Sequence, residues 1–270
     1  MKSPAEVTTA YGSIGQHKAN LSIMQMLLLG WFAGVFIAFA AVGANTGGSM
    51  IENPGVAKIV SAFIFPIGLS MVILAGSELF TGDCLMVITA LDKKISWFAM
   101  LRCWFFVYIG NFLGSILVAF AMSQASQFAF FGNAVAVMTI KTAAAKVAFS
   151  PGTAVLLGIF CNFLVCIAVW IAMASTTVTE KFTGLYGPIF LFVLCGFEHS
   201  VANMYYIPAG IFASMDSAYV AAAVKQGVSV TGLTWDAFFW QNLLPVTVGN
   251  IIGGAGFVGM MEWVIYRSKS

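Results

Sequence analysis

Charge is what this sequence has least of. Only 8% of its residues are Asp, Glu, Lys or Arg, against roughly 25% in a soluble domain. A chain of 270 residues that is 60% hydrophobic cannot cover a water-facing surface with so few charges, so its outside faces lipid. The net charge is only +2 and no basic cluster occurs, which argues against a nucleic-acid partner. Two histidines are too few for the axial pairs of a haem-carrying redox subunit. The five cysteines, Cys84, Cys103, Cys161, Cys166 and Cys195, all fall in apolar segments. An odd set without metal-ligand spacing points to neither a disulfide framework nor a metal site. A Gly-rich phosphate loop is missing too, so no nucleotide-driven pump is expected. Nor is any cofactor or catalytic constellation, and the chain does not read as an enzyme.

What is there is a series of long apolar runs. Residues 1–20 are polar and include His17 and Lys18. They hold no short apolar core of a cleaved signal peptide, although Ala38-Phe39-Ala40 imitates a cleavage site further on. A first helix is expected from about Gln25 to Ala44, long enough to span a bilayer. The second segment is apolar from Val56 to Ala75. It is then interrupted by Gly76, Glu78, Thr81, Gly82 and Asp83, and resumes from Cys84 to Leu91. That is too long, and too polar in the middle, for one straight helix. Non-helical backbone at membrane depth survives only where protein buries it or a cavity hydrates it. Trp97 to about Gln124 is the third helix, with Gly110-Asn111-x-x-Gly114 inside it. Small residues at that spacing let helices approach closely. A looser stretch, residues 126–150, carries Lys141 and Lys146. The fourth helix runs from Pro151 to about Ser175. The fifth segment runs from Gly187 to Cys195, breaks around Glu198 to Asn203, and resumes to about Ala213. The sixth spans Phe238 to Tyr266, with Gly249-Asn250-x-x-Gly253 and an expected kink near Pro245.

The expected architecture is an all-α membrane protein, one transmembrane domain over residues 1–270 with six spans. The order of features repeats: plain helix, broken helix, helix with Gly-Asn-x-x-Gly. Halves of about residues 20–125 and 150–268, with three spans each, would form an inverted 3+3 repeat, which places a site near the midplane between the broken helices. Lys2, Lys18, Lys93, Lys94, Arg102, Lys181, Arg267 and Lys269 fall on one side of this topology. Lys58, Lys141, Lys146 and Lys225 fall on the other. The excess of cations on the first side makes it cytoplasmic, with both termini there.

The chemistry lies in the two interruptions. Both read Gly-x-Glu, and each has Asp or Asn five residues after the Glu: Glu78 with Asp83, Glu198 with Asn203. Intramembrane ionisable residues are costly and so are functional candidates. Thr81, His199 and Asn162 are the polar groups expected at mid-depth. Donors without a fixed full charge suit a small, weakly held anion or its conjugate acid. His199 has a second reading, as a ring satisfied by Glu198 or backbone, and Thr81 as a helix cap. Glu78 and Glu198 are expected to accept from loose backbone N–H groups and so hold the breaks in shape. Asn111 and Asn250 are expected to bond helix to helix. Phe65 and Leu69 share a helix face, while Leu79 and Phe192 flank the breaks; on spacing alone these four fit core packing better than a constriction.

The runs Gly76-Ser77-Glu78-Leu79-Phe80-Thr81-Gly82 and Gly196-Phe197-Glu198-His199-Ser200-Val201-Ala202-Asn203 resemble the two signature breaks of the formate/nitrite transporter family. Gly158 to Asn162 and the two Gly-Asn-x-x-Gly helices resemble it as well, so the likeness covers the whole chain. The resemblance implies an aquaporin-like fold and a homopentamer with one pore per protomer in the cell membrane. It implies a central site of Thr81, Asn162 and His199. Leu69 and Leu79 would form a cytoplasmic constriction, and Phe65, Val165 and Phe192 an outer one. Lys146 would attract anions outside, and Lys18 inside. The family carries formate, nitrite, hydrosulfide or lactate. The narrow passage at Val165 and Phe192 favours the smallest of these, with formate first. The expected mechanism relieves the anion's charge by hydrogen bonding or protonation involving His199, so that a nearly neutral species crosses the apolar constrictions. Two alternatives remain at this point. A water or neutral-solute channel would normally carry paired Asn-Pro-Ala repeats, which are absent. A membrane anchor of a redox complex would need a partner or a bound cofactor.

Overall fold

The computed structural model describes residues 1–267. Lys269, counted above among the cytoplasmic cations, and the last residue of the expected second half lie outside the described residues. The first helix, α1 (Pro4–Asn20), starts at Ser3, which forms a reciprocal capping box with Glu6. A second box, Ser22 with Gln25, starts α2 (Ile23–Gly48). Asn53 caps α3 (Pro54–Ile64), which continues past Phe65 into α4 (Pro66–Ala75). Proline at a first helical position removes an N–H that would have had no partner. After a non-helical break come α5 (Phe80–Asp83), a 3-10 turn and α6 (Val87–Leu91). Next are α7 (Trp97–Gln124), α8 (Phe130–Val147) and α9 (Pro151–Ala174). The chain ends with α10 (Val178–Leu194), α11 (Ser200–Ala213), α12 (Ser217–Lys225) and α13 (Ala237–Tyr266). No strand occurs among the described residues.

Six of these helices are long and apolar enough to cross a membrane: Ile23–Gly48, Pro54–Ala75, Trp97–Gln124, Gln127–Val147, Pro151–Ala174 and Ala237–Tyr266. The protein is therefore a multi-pass membrane protein. The set differs from the sequence expectation in two places. Within residues 126–150, where a looser stretch was expected, residues 134–147 are helical, while Phe131, Gly132 and Asn133 just before them have left-handed, non-helical backbone. Val135, Ala136, Thr139, Ile140, Ala143 and Val147 recur at helical spacing and are buried, and α8 packs on α11. Lys141 and Lys146 lower the apparent hydropathy, but lysine is a good helix former and breaks nothing. The fifth expected segment is split by its break into α10 and α11, so neither arm alone reaches that length. In α13 a π-helical stretch, Ala237–Leu243, leads up to Pro245. Proline donates no N–H, and the backbone takes the wider π form before it, while the helix runs on as one element to Tyr266.

Two helix pairs lie in backbone contact, and both are built on the Gly-Asn-x-x-Gly runs. Gly34 and Gly114 let α2 and α7 touch at Asn111 and Trp31. Gly249 and Gly253 do the same for α13 against Val155 and Ile159 of α9. A Cβ added at Gly253 would stand on the Ile159 carbonyl, whereas one added at Gly256 of the same helix meets nothing within 4 Å. Gly253→Ala is thus expected to cost about 1–3 kcal/mol by overpacking, and Gly256→Ala close to nothing. Unfolding midpoints of the two variants in detergent check this directly.

Candidate pore and central site

Each break starts where a helix meets a glycine in the left-handed region. Gly76 (φ +77°) ends α4 and Gly196 (φ +72°) follows α10, a conformation that costs side-chain-bearing residues energy. The next N–H reaches back five residues at both sites, Ser77 to Val72 O and Phe197 to Phe192 O, each at 3.0 Å. The chain then runs extended, and two neighbouring helices supply the missing hydrogen bonds. Glu78 N–H donates to Leu29 O, and Glu198 N–H to Leu157 O, both at 3.3 Å. Asn111 donates to Gly30 O and Glu78 O and accepts from Phe80 N–H. Asn250 donates to Gly158 O and Glu198 O and accepts from Ser200 N–H. Both asparagines are fully buried. They bond helix to helix as expected, and they also cap the restarting helices. The backbone-holding role expected of the two glutamates is therefore theirs.

The glutamate carboxylates bind lysines instead. Glu198 accepts from Lys146 Nζ (2.7 Å), Asn203 Nδ2 (2.7 Å) and Asn242 Nδ2 (3.2 Å). Asn242 also donates to the Lys146 carbonyl. Lys146 lies over the Tyr206 ring, 5.3 Å from its centroid. Glu78 accepts from Lys18 of α1, which also donates to Asp83 Oδ1 at 2.7 Å. Asn242 and Tyr206 escaped the sequence reading. The one signal for Asn242 is its place two turns before Asn250 on the same helix.

Thr81 and His199 meet between the breaks, with Thr81 Oγ1 2.9 Å from His199 Nε2. Both are buried. Thr81 sits in α5, one residue past its start, and His199 is the cap of α11. Ala202 N–H donates to His199 Nδ1 at 3.0 Å. That bond fixes the neutral ring as the Nε2–H tautomer, so Nε2 donates to Thr81 and leaves the threonine hydroxyl hydrogen free. A doubly protonated ring would set Nδ1–H against Ala202 N–H. Asn162 is in the same place, yet its amide group is not available as a donor. Nδ2 is already bonded to Thr81 O (3.1 Å) and Asn250 O (2.7 Å).

Aromatic rings close the site from one side. Phe192 stacks on His199 with centroids 5.9 Å apart, and Phe65 meets Phe192 edge-on at 5.7 Å. Beyond them lies a cavity of about 410 Å³ that reaches His199. Lys58, Lys141 and Lys146 line it, with Glu52 and Glu198. Leu69, Leu79 and Val165 are buried in the core.

Lys146 and Glu198 are both largely buried. Removing one partner of a buried pair leaves an uncompensated charge, at about 3–5 kcal/mol. Lys146→Met is expected to destabilise by that order, and Lys146→Met with Glu198→Gln by clearly less. Thermal unfolding of the single and double variants measures the difference.

Residues 5–264 match the family model described as formate/nitrite transporter. A probable formate transporter of Methanothermobacter thermautotrophicus is 38% identical over 286 aligned residues, covering 99% of this chain and 98% of its own. Formate channel FocA of Escherichia coli strain K12 is 35% identical, with 99% and 95% covered. A solved pentameric formate channel with formate bound superposes with a TM-score of 0.80 at 33% identity, covering 90% of this chain and 97% of that one. The breaks, their asparagine clamps and the whole-chain match place one conclusion beyond the fold: the chain belongs to the formate/nitrite transporter family.

Proposed function

We propose that this protein is a membrane pore for formate, with nitrite and hydrosulfide as further substrates, one pore per protomer of a homopentamer. The observation that carries the reading is the buried Thr81–His199 pair, an uncharged donor at the foot of a lysine-lined vestibule. Support for formate and for the pentamer comes from the relatives described above. The two halves, about residues 20–125 and 150–268, act as inverted repeats. The pore lies in the cell membrane with both termini cytoplasmic.

An anion first meets the vestibule, where three lysines face two glutamates. Lys146 is paired with Glu198, so Lys58 and Lys141 contribute most of the attraction on that side. Lys18, paired twice, holds the inner cluster together and adds little net attraction of its own. Past the Phe65–Phe192 constriction the anion loses water, which for a bare charge is prohibitive. The Thr81 hydroxyl donates to it there. Donation from His199 Nε2–H into Thr81 Oγ1 polarises that hydroxyl. Neutral His199 is a hydrogen-bond donor in this scheme and does not give up its proton, because its Nδ1 already accepts from Ala202. The proton that turns the anion into its acid is delivered as hydronium from the aqueous vestibule, which leaves only water behind, and the acid crosses Leu69 and Leu79. Val165 narrows the outer side, and Asn162 fixes the Thr81 carbonyl.

Uptake into proteoliposomes tests this, with formate, nitrite, hydrosulfide and lactate compared at two pH values. Formate uptake is expected to rise as external pH falls. Thr81→Val loses a hydrogen bond to a charged group, worth about 1.5–3 kcal/mol, so uptake should fall about 10- to 100-fold. His199→Asn, which keeps an N–H donor, should retain the pH profile of the parent, while His199→Phe should lose rate. A pH profile abolished in His199→Asn would make the ring a proton carrier and sink the scheme. Equal leakage of all four solutes, or of water alone, would overturn the anion-pore reading.

A further inference from the structure

The two lysine clusters are built alike but are not charged alike. Around the second break, Lys146, Glu198 and Asn203 sum to zero. Around the first, Lys18 meets two carboxylates, Glu78 and Asp83. The residue five positions after the glutamate is the point of difference. Asn203 donates its amide N–H to Glu198 at 2.7 Å. Asp83 occupies the corresponding position, and its carboxyl and that of Glu78 meet at the same Lys18 Nζ. An ionised Asp83 has no hydrogen to donate. Its Oδ1 accepts from Lys18, and its Oδ2 is buried without a partner. Asp83 as a whole is 1% exposed.

Among the described residues, the surroundings offer no second cation. From α1, Lys18 and the Tyr11 hydroxyl face the pair, and Tyr11 donates to Gly82 O. Arg102 of α7 is bonded to the carbonyls of Ala19 and Leu21, and Lys94 pairs with Asp92. The thiols of Cys84, Cys103 of α7 and Cys166 of α9 are the other titratable groups nearby, and all three are buried. One unit of negative charge is left over in a water-poor site, and like carboxylates sharing such a site bind a proton between them.

We propose that Glu78 and Asp83 form a proton-binding site that holds one proton in the folded protein, seated on Asp83. Protonated Asp83 donates to Glu78 as Asn203 does to Glu198, and the first cluster becomes neutral like the second. The proton belongs to the pair as a titrating unit. Its consequence for transport rests on the anion-pore reading above: the proton removes a negative charge beside Leu79, where it would repel an incoming anion. Loss of the proton at alkaline pH then slows anion passage.

Infrared spectroscopy of the full-length protein in lipid bilayers tests the site without any transport assay. At neutral pH the C=O stretch of a protonated carboxyl is expected. It should shift when aspartate carboxyls carry heavy carbon, and Asp83 is the one buried aspartate among the described residues. Asp83→Asn should abolish the band. In the unfolded chain an aspartate is ionised at neutral pH, so the folded state binds the extra proton and stability falls as pH rises. The unfolding midpoint of the parent should therefore drop with rising pH relative to that of Asp83→Asn. Absence of the band from the parent protein overturns the proposal, even if the variant does not fold. So does a band insensitive to the aspartate label, or stability that follows the concentration of an added alkali cation rather than pH. Failure of formate uptake would remove the anion-pore reading and leave the proton site intact.

Discussion

Everything in this fold depends on ending a helix inside a membrane and starting another a few residues later. Lipid offers no hydrogen bonds, so every N–H and C=O released at the break needs a protein partner. The solution is the same at both breaks. A left-handed glycine folds the last turn back on itself, a carbonyl of the first helix of each half (Leu29 or Leu157) takes the glutamate N–H, and one asparagine closes the rest. Asn111 and Asn250 each make three bonds across three segments, which only a side chain with donor and acceptor ends can do. The close glycine contacts matter for the same reason. Unless α7 lies backbone to backbone on α2, Asn111 does not reach Gly30 O.

The resulting centre is polar and uncharged. Thr81 and His199 are brought to 2.9 Å by the restarted helices, and the same restart sets their chemistry. Because His199 caps α11, its Nδ1 is committed to Ala202 N–H and its proton is placed on the side of Thr81. A cap that fixes a tautomer turns an ordinary folding device into a choice of donor. It also separates two roles often given to one histidine, since a ring held in this way directs a hydrogen bond without supplying a proton.

Much of this was legible in the sequence. The Gly-x-Glu runs located both breaks, because glycine next to a membrane-depth carboxylate has few other uses, and Gly-Asn-x-x-Gly located the helices that clamp them. Less legible was which polar atom meets which. Asn162 reads as a ligand donor, but its amide is occupied by two backbone carbonyls. Glu78 and Glu198 read as backbone acceptors, but their partners are lysines far off in sequence. Helix α8 was missed because hydropathy averages over a helix, whereas Lys141 and Lys146 project to the vestibule from a helix whose other face is buried. Periodicity reports which face is apolar; it does not report what a polar side chain on the other face will find.

The lysine clusters show how electrostatics and architecture constrain each other. Lys18 stands to Lys146 in the chain as Leu29 stands to Leu157 and Gly30 to Gly158, the same interval separating each pair. Each lysine comes from the helix that precedes its half, α1 or α8, and reaches the glutamate of that half's break. A lysine so paired does not act as a free charge. Its field at a distance is largely cancelled by its glutamate, and what it contributes is position. Net attraction for an anion must come from cations outside the pairs. On the vestibule side Lys58 and Lys141 meet that requirement, and neither has a carboxylate partner among the described residues. The inner cluster has no such surplus and carries one carboxylate too many. In the proposed pore, its charge state would therefore set whether that side admits or repels an anion, whatever the sign of the vestibule opposite.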